Sequence, residues 1–282
     1  AKMYMSEGML AMMAKEIAKI VRALKGKTKK CLVMDLDNTL WGGIIGDDGV
    51  NGIELGGTPH GEAFTRFQKT VKKMGRQGVL LTLNSKNDRE NTDQVFSEHP
   101  DAALCADDFV KQCVNWNPKN ENIIELTNSL NINTNSVVFF DDSSFECNLV
   151  RETLPEVAVV ELDDNPCDFS HRLLSEGWFN SMDLTQEDVG RVKKYKTDEK
   201  RKEFLSSHNS IEEYLHKLKI EVGMFSVDEY SVSRIAQLTQ RTNQFNMTTW
   251  RLSESQVIEI NNAKNWKILS IRASDRFGDN GV

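Results

Sequence analysis

Two aspartates, Asp35 and Asp37, follow directly on the apolar run Cys31-Leu32-Val33-Met34 and open the segment Asp35-Leu36-Asp37-Asn38-Thr39. Carboxylates at this spacing have a use once the chain leaves a strand. The first can attack phosphorus or bind a metal, and the second can give and take the proton of a leaving group. A carboxylate working beside phosphate needs a cation to offset the charge, and oxygen ligands favour Mg²⁺. More acid comes from Asp141-Asp142, at the end of Val137-Val138-Phe139-Phe140. Ser85 and Lys86, after Leu80-Leu81-Thr82-Leu83-Asn84, offer a hydroxyl and backbone N–H groups for phosphate oxygens. Lys119, opening a helix after Trp116-Asn117-Pro118, can bring a cation to the same oxygens. Each feature alone has a plainer reading, since aspartates and serines after strands commonly cap turns and helices. Their convergence on one sheet edge is what points to chemistry.

The elements that must position these residues are legible as a pattern. Apolar residues at helical spacing (Met9, Met12, Met13, Ile17, Ile20, Val21, Leu24) predict a helix over 4–23. The run 31–34 is of the kind that makes a strand buried on both faces. The Gly-rich stretch 41–57 is expected to form a hairpin or small flap over that strand's end, carrying Trp41. Helices are predicted over 61–76, 89–98, 119–130 and 145–153. They alternate with strands at 78–83, 102–105, 137–140 and 157–160. Alternation of this kind means a parallel sheet with helices on both faces, and such sheets bind ligands beyond the strands' carboxyl ends. The expected organisation is an N-terminal helix over 1–29, a catalytic α/β domain over 30–165, and a helical linker with a second, incomplete α/β domain over 166–282. The second domain starts with charged helical sequence at 186–218. A strand near 220–226, helices near 231–240 and 253–262, and a strand near 266–272 follow.

Composition sets outer bounds. The chain has 282 residues, 39% hydrophobic and 27% charged, which is the balance of a globular protein. A net charge of −7 gives no dominant basic field, so nucleic acid is not an expected partner. No membrane span or signal-peptide pattern is apparent. Five cysteines without CxxC spacing fit a reduced, cytoplasmic setting. The chain begins inside a helical pattern and stops just after an expected strand, so it reads as a piece of a longer polypeptide.

Taken in order, Asp35, Asp37, Ser85, Lys119 and Asp141 resemble the four motifs of the haloacid dehalogenase (HAD) superfamily. The resemblance implies a HAD-like Rossmannoid sheet with a small flap. It makes Asp35 the nucleophile, Asp37 the general acid/base, Ser85 the phosphate-binding hydroxyl and Lys119 the stabiliser of the intermediate. Asp141 would hold Mg²⁺ with Asp35, Asp37 would contribute its backbone carbonyl, and Asp142 would be a ligand or its partner. Thr39, Trp41, Lys86 and Asn87 fall in the segments expected to bind substrate. The longer strings 35–43, 85–88, 115–119 and 140–142, with Thr242-Asn243-Gln244-Phe245-Asn246 and Asp275-Arg276-Phe277-Gly278-Asp279-Asn280-Gly281, look like the FkbH-like family. This resemblance covers roughly 30–282.

That family resemblance implies a role in polyketide biosynthesis. A phosphorylated three-carbon acid, 1,3-bisphosphoglycerate, would lose phosphate, and its glyceryl group would pass as a thioester to the phosphopantetheine arm of an acyl carrier protein. Some relatives deliver a lactyl group instead. The second domain resembles the start of an acetyltransferase-like fold. Where family members commonly carry Asn-Pro and Glu-Arg after the Asp pair, this chain has Ser143-Ser144-Phe145-Glu146-Cys147. That departure could remove a salt bridge on the helix or alter anion binding, and it bears on substrate identity more than on catalysis.

Of the cysteines, Cys113 is the acyl-carrying candidate, on a loop expected to run over the active edge before Trp116 and Lys119. A thiolate can attack an acyl phosphate. Cys31 lies about 13 Å down its strand from Asp35 and is expected in the core. The basic segment 191–202 could dock an acidic carrier, though such runs are usually solvated helix faces. Asn243, Gln244, Asn246, Arg276 and Asp279 form a polar set expected to face the first domain. Two rival readings remain: a plain Mg²⁺-dependent small-molecule phosphatase, and a catalytically idle docking domain of a synthase.

Overall fold

The computed structural model describes residues 5–25, 27–180, 186–207, 210–228, 231–241 and 250–279. The motif at 242–246 and Asn280-Gly281 lie outside these residues. The chain divides into two compact units, Ala1–Glu199 and Lys200–Val282.

In the first unit, helix α1 (Glu7–Leu24) starts on Ser6, whose hydroxyl accepts from the Met9 amide. Strand β1 (Cys31–Met34) follows and is buried at every position. A short helix α2 (Ile45–Asp48) sits in the Gly-rich stretch, which closes through a Gly42–Glu54 bridge. Then come α3 (Pro59–Arg76), β2 (Leu80–Ser85), α4 (Arg89–Glu98), β3 (Lys111–Val114), α5 (Lys119–Ser129), β4 (Val137–Asp141), α6 (Ser144–Thr153), β5 (Ala158–Glu161) and α7 (Phe169–Ser175). The five strands form a parallel sheet of order β3-β2-β1-β4-β5.

Strand side chains alternate between faces, and here both faces are covered. Leu32 and Met34 join Phe64, Phe67 and Val71 of α3 and Phe169 of α7 in one core. Cys31 and Val33 join Ile123 and Leu126 of α5 and Cys147 and Val150 of α6 in the other. Phe67 stacks on Phe140 at 5.2 Å between ring centroids, which packs α3 onto the middle of the sheet. Burial on both sides explains why the central strands read as unbroken apolar runs.

One strand expectation changes here. The strand placed at 102–105 is instead β3, at Lys111–Val114. It is an edge strand of mixed polarity, so its pattern is weak. The first unit extends past 165: Phe169 and Leu173 are core residues, and Val192 and Tyr195 pack against the second cluster. The basic segment is partly spent within this unit, where Arg191 donates to the Gly78 carbonyl and Lys196 pairs with Asp107.

Helix α8 (Gln186–Ser206) runs across the division. The second unit holds α9 (Ile211–Leu218), β6 (Glu221–Ser226), α10 (Val232–Arg241), α11 (Glu254–Asn262), β7 (Leu269–Asp275) and β8 (Gly278–Asp279). Its strands form an antiparallel sheet of order β6-β7-β8. A small core of Val232, Ile235, Ala236 and Val257 joins the two helices. Asp275 pairs with Arg201 at 2.8 Å, and Arg276 lies 4.5 Å over the Phe204 ring.

Candidate active site

Strand register brings the acids together. Met34 pairs with Phe140 across β1 and β4, and the Asp35 amide donates to the Phe140 carbonyl at 3.1 Å. Asp35 and Asp141 therefore leave adjacent strands side by side. On β1's other flank Met34 pairs with Leu83, which sets Asn84 and Ser85 at the same edge. Beyond Asp35 the chain turns at Asn38, whose φ of 52° is left-handed, a conformation Asn tolerates. The Asn38 side-chain oxygen accepts from the Gly43 amide at 2.9 Å, tying the turn to the flap.

Carboxylate oxygens of Asp35, Asp141 and Asp142 lie within 4.8 Å of one another. Lys119 Nζ stands 2.5 Å from Asp141 Oδ2 and 3.0 Å from Asp35 Oδ2, and all three side chains are buried. Burial pulls the lysine's pKa down, but the two carboxylates outweigh it and hold it above the ordinary lysine value. Asp141 is pushed up to about 7, by burial first and by the Asp35 charge next, with Lys119 opposing. Asp142 is also raised, by burial and then by Asp35. Asp35 Oδ1 is buried with no hydrogen-bond partner among the described residues. An orphaned oxygen beside two further carboxylates, all hard donors, fits a divalent cation of the Mg²⁺ or Ca²⁺ kind.

The Asp37 carboxylate stands outside that cluster. Its Oδ1 accepts from Trp41 Nε1 at 2.8 Å and from the Ile45 amide at 3.1 Å, and its Oδ2 accepts from Asn87 Nδ2 at 3.0 Å. Burial raises its pKa, and the Ile45 and Trp41 hydrogen bonds pull the other way. Both Asp37 carboxylate oxygens are thus engaged within the protein. Trp41 is fully buried, edge-on to Phe96 at 6.0 Å. Its indole N–H holds Asp37. Asn87 holds the same carboxylate. Thr39 is fully buried with its hydroxyl unpartnered, and Ser85 is buried at the end of β2.

The expected place of Cys113 is corrected. It lies on β3 opposite Asn84, not on a loop, and packs in the core with Leu80 and Ile123. Burial, then the nearby Glu125 charge, pushes its thiol up to about 12, where little thiolate exists near neutrality. Cys31 and Cys147 are likewise buried and pushed to about 12, while Cys105 and Cys167 are exposed. Position 147, where the resemblance leads one to expect Arg, is core: Cys147 Sγ points at the Asp141 carbonyl at 3.6 Å.

Two features escaped sequence reading. A buried amide network joins β2, α5 and the loop after β3: Asn84 Nδ2 donates to the Lys119 carbonyl at 2.8 Å, and Asn122 Nδ2 donates to Asn84 Oδ1 and Asn115 Oδ1, both at 2.9 Å. It fixes the backbone from which Lys119 projects. The polar Asn84 closing an apolar strand was the available signal. The second is an ion pair between Lys86 and Glu146 at 2.5 Å. Ser143 accepting from the Glu146 amide marks a helix start, but the sequence does not say that Glu146 turns to Lys86.

The parallel sheet flanked by helices is a HAD-like Rossmannoid fold. Similar solved structures include the N-terminal part of protein BF1531 from Bacteroides fragilis, which contains a phosphatase domain complexed with magnesium. The identity is 42% over 58% of this chain and 44% of that one, with a TM-score of 0.57. The present chain thus spans less than half the length of that protein fragment. A HAD-family enzyme, BT-2542 from Bacteroides thetaiotaomicron, solved with magnesium and inorganic phosphate, is 12% identical over 48% of this chain and 95% of its own, at a TM-score of 0.32. No protein-family model and no curated protein matches this chain.

Proposed function

We propose that this chain is a Mg²⁺-dependent phosphatase of the HAD type, acting through Asp35. The observation that carries the reading is the meeting of Asp35, Asp141, Asp142 and Lys119 at the carboxyl edge of the sheet, with one Asp35 oxygen buried and unpartnered. The likeness to a magnesium-bound phosphatase domain at 42% identity supports it. Asp35, Asp141 and Asp142 would hold Mg²⁺ through side-chain oxygens, and Asp37 would hold it through its carbonyl. When bound, the ion offsets phosphate charge and polarises the phosphoryl group.

The protein's own groups do the rest. An Asp35 oxygen attacks phosphorus, the bond from phosphorus to the leaving oxygen breaks, and Asp37 gives that oxygen a proton. Its raised pKa suits a general acid. Asp37 then takes a proton from water, which attacks the phosphoaspartate and frees inorganic phosphate and Asp35. Lys119 and Ser85 face the phosphoryl oxygens.

The finer reading is FkbH-like: the substrate is a phosphorylated three-carbon acid such as 1,3-bisphosphoglycerate, and its glyceryl or lactyl group goes to an acyl carrier protein. The motif strings at 35–43, 115–119 and 275–281 support this. With Cys113 in the core, the acyl group is best received by the carrier's own phosphopantetheine thiol, which attacks the acyl-phosphate carbonyl and expels that phosphate, leaving the second phosphate to Asp35. Intact-mass analysis after incubation with 1,3-bisphosphoglycerate, Mg²⁺ and a carrier protein tests both levels. Phosphate release with a mass gain on the carrier is expected. Phosphate alone would leave a simple phosphatase, and neither would overturn the proposal.

A further inference from the structure

Lys86 has no place in the chemistry just described, yet its setting is built. It directly follows Ser85 at the end of β2, and its partner Glu146 lies in the first turn of α6, just after β4. Strands β2 and β4 flank β1 on opposite sides. The 2.5 Å bridge therefore crosses the interval of sheet edge that β1 occupies, where Asp35 stands. Glu146 contributes a side chain only 5% exposed, and its second oxygen, Oε2, is buried without a partner. The Lys86 side chain keeps 36% exposure, against 4% for Lys119.

The two lysines thus divide the work. Lys119 is sealed in beside Asp35 and Asp141 and serves the reacting phosphoryl group. Lys86 is aimed by one charge-assisted bond and has further N–H donors to give at the mouth of the site. Glu146, held at 5% exposure, fixes the direction in which the part-exposed Lys86 points.

We propose that Lys86, aimed by Glu146, is the specificity-determining cation of this site and receives a second anionic group, carboxylate or phosphate, on the phosphorylated substrate. This rests on the phosphatase reading and narrows its substrate class to doubly anionic compounds.

Calorimetric binding in Mg²⁺ buffer tests it, in the Asp35→Asn background, where the probes are held without turnover. The probes are propyl phosphate, 3-phosphoglycerate and propane-1,3-diyl bisphosphate. At least one doubly anionic probe should bind about tenfold more tightly than propyl phosphate, as one charge-assisted contact allows. Which one does so tells carboxylate from phosphate. Lys86→Met should bring that ratio to about one, Lys86→Arg should restore most of it, and Glu146→Gln should lower it. Loss of fold would weaken all three probes alike and leave the ratio untouched. A ratio that survives Lys86→Met, or no preference with Lys86 in place, overturns the inference. Phosphate release by the unaltered chain is measured separately. Its absence alongside an intact ratio would sink the phosphatase reading but not the subsite.

Discussion

The two sheets of this chain use similar aliphatic residues and meet opposite fates. In the first, β1, β2 and β4 are buried along their whole length, with a separate core on each face. In the second, Val222 and Met224 of β6 share a face with Leu269 and Ile271 of β7, and these four remain 46% to 66% exposed. A sheet sealed on both faces fixes the direction of every side chain leaving its edge, because each strand is packed from above and below. That is the condition for setting Asp35 beside Asp141 and Lys119 within hydrogen-bonding reach. An open-faced sheet offers area instead of fixed geometry. Catalysis should therefore depend on the first unit almost alone, and several measurements can break or sharpen that contrast.

The largest effect is expected from Asp35→Asn, which should lower phosphate release by on the order of 10⁴-fold with the fold intact by circular dichroism. Arg201→Ala, which removes the Asp275 pair of the second unit, should change the same rate by no more than about twofold. Equal losses from the two would break the contrast. Next is thiol reactivity, which reports the sealing of the first sheet directly. Buried thiols pushed from 9.0 to about 12 carry on the order of 10³-fold less thiolate near neutrality. Iodoacetamide should add two labels to the native chain, at Cys105 and Cys167, and five after denaturation. Rapid native labelling of Cys113 would mean that β3 opens.

Stability should follow the same line. Phe139 is fully buried in the middle of β4, so Phe139→Ala should cost about 3–5 kcal/mol by chemical denaturation. Met224→Ala, on the open face of the second sheet, should fall within about 0.5 kcal/mol of the parent. A large loss at Met224 would show that its face is covered in solution.

How much of this was legible in the sequence depends on whether the signal was local. Asp35 and Asp141 were readable because each closes a run that is apolar at every step, and only a strand buried on both faces looks like that. Strand β3 was misplaced because Lys111-Gln112-Cys113-Val114 sits at the sheet edge, where alternation is diluted, and Cys113 was consequently put on a loop. The packing of 166–199 with the first unit is hidden in the sequence for a related reason. Charge rises after Asp163, but Phe169, Leu173, Val192 and Tyr195 still pack on the first unit, and composition does not report which side of a helix is buried. Trp41, Lys86 and Glu146 were visible as residues and unreadable as contacts. The Lys86–Glu146 pair joins positions sixty apart, a separation that no local pattern encodes.

The smallest expected effect probes how the sealed sheet tunes its own acid. Trp41→Phe keeps a ring against Phe96 but removes the N–H that Asp37 Oδ1 accepts at 2.8 Å. Burial already raises the Asp37 pKa, and the Ile45 and Trp41 hydrogen bonds hold it down by favouring the charged form. Losing one of them must raise it further. The limb of the pH–rate profile that Asp37 governs should move to higher pH by less than about one unit. The maximal rate should fall about tenfold or less, since Ile45 and Asn87 still hold the carboxylate. KM should stay within about twofold, because Trp41 is buried and offers no surface to substrate. A steep rise in KM with an unmoved limb would instead put Trp41 in contact with the substrate, and the flap would then be a binding element rather than part of the seal.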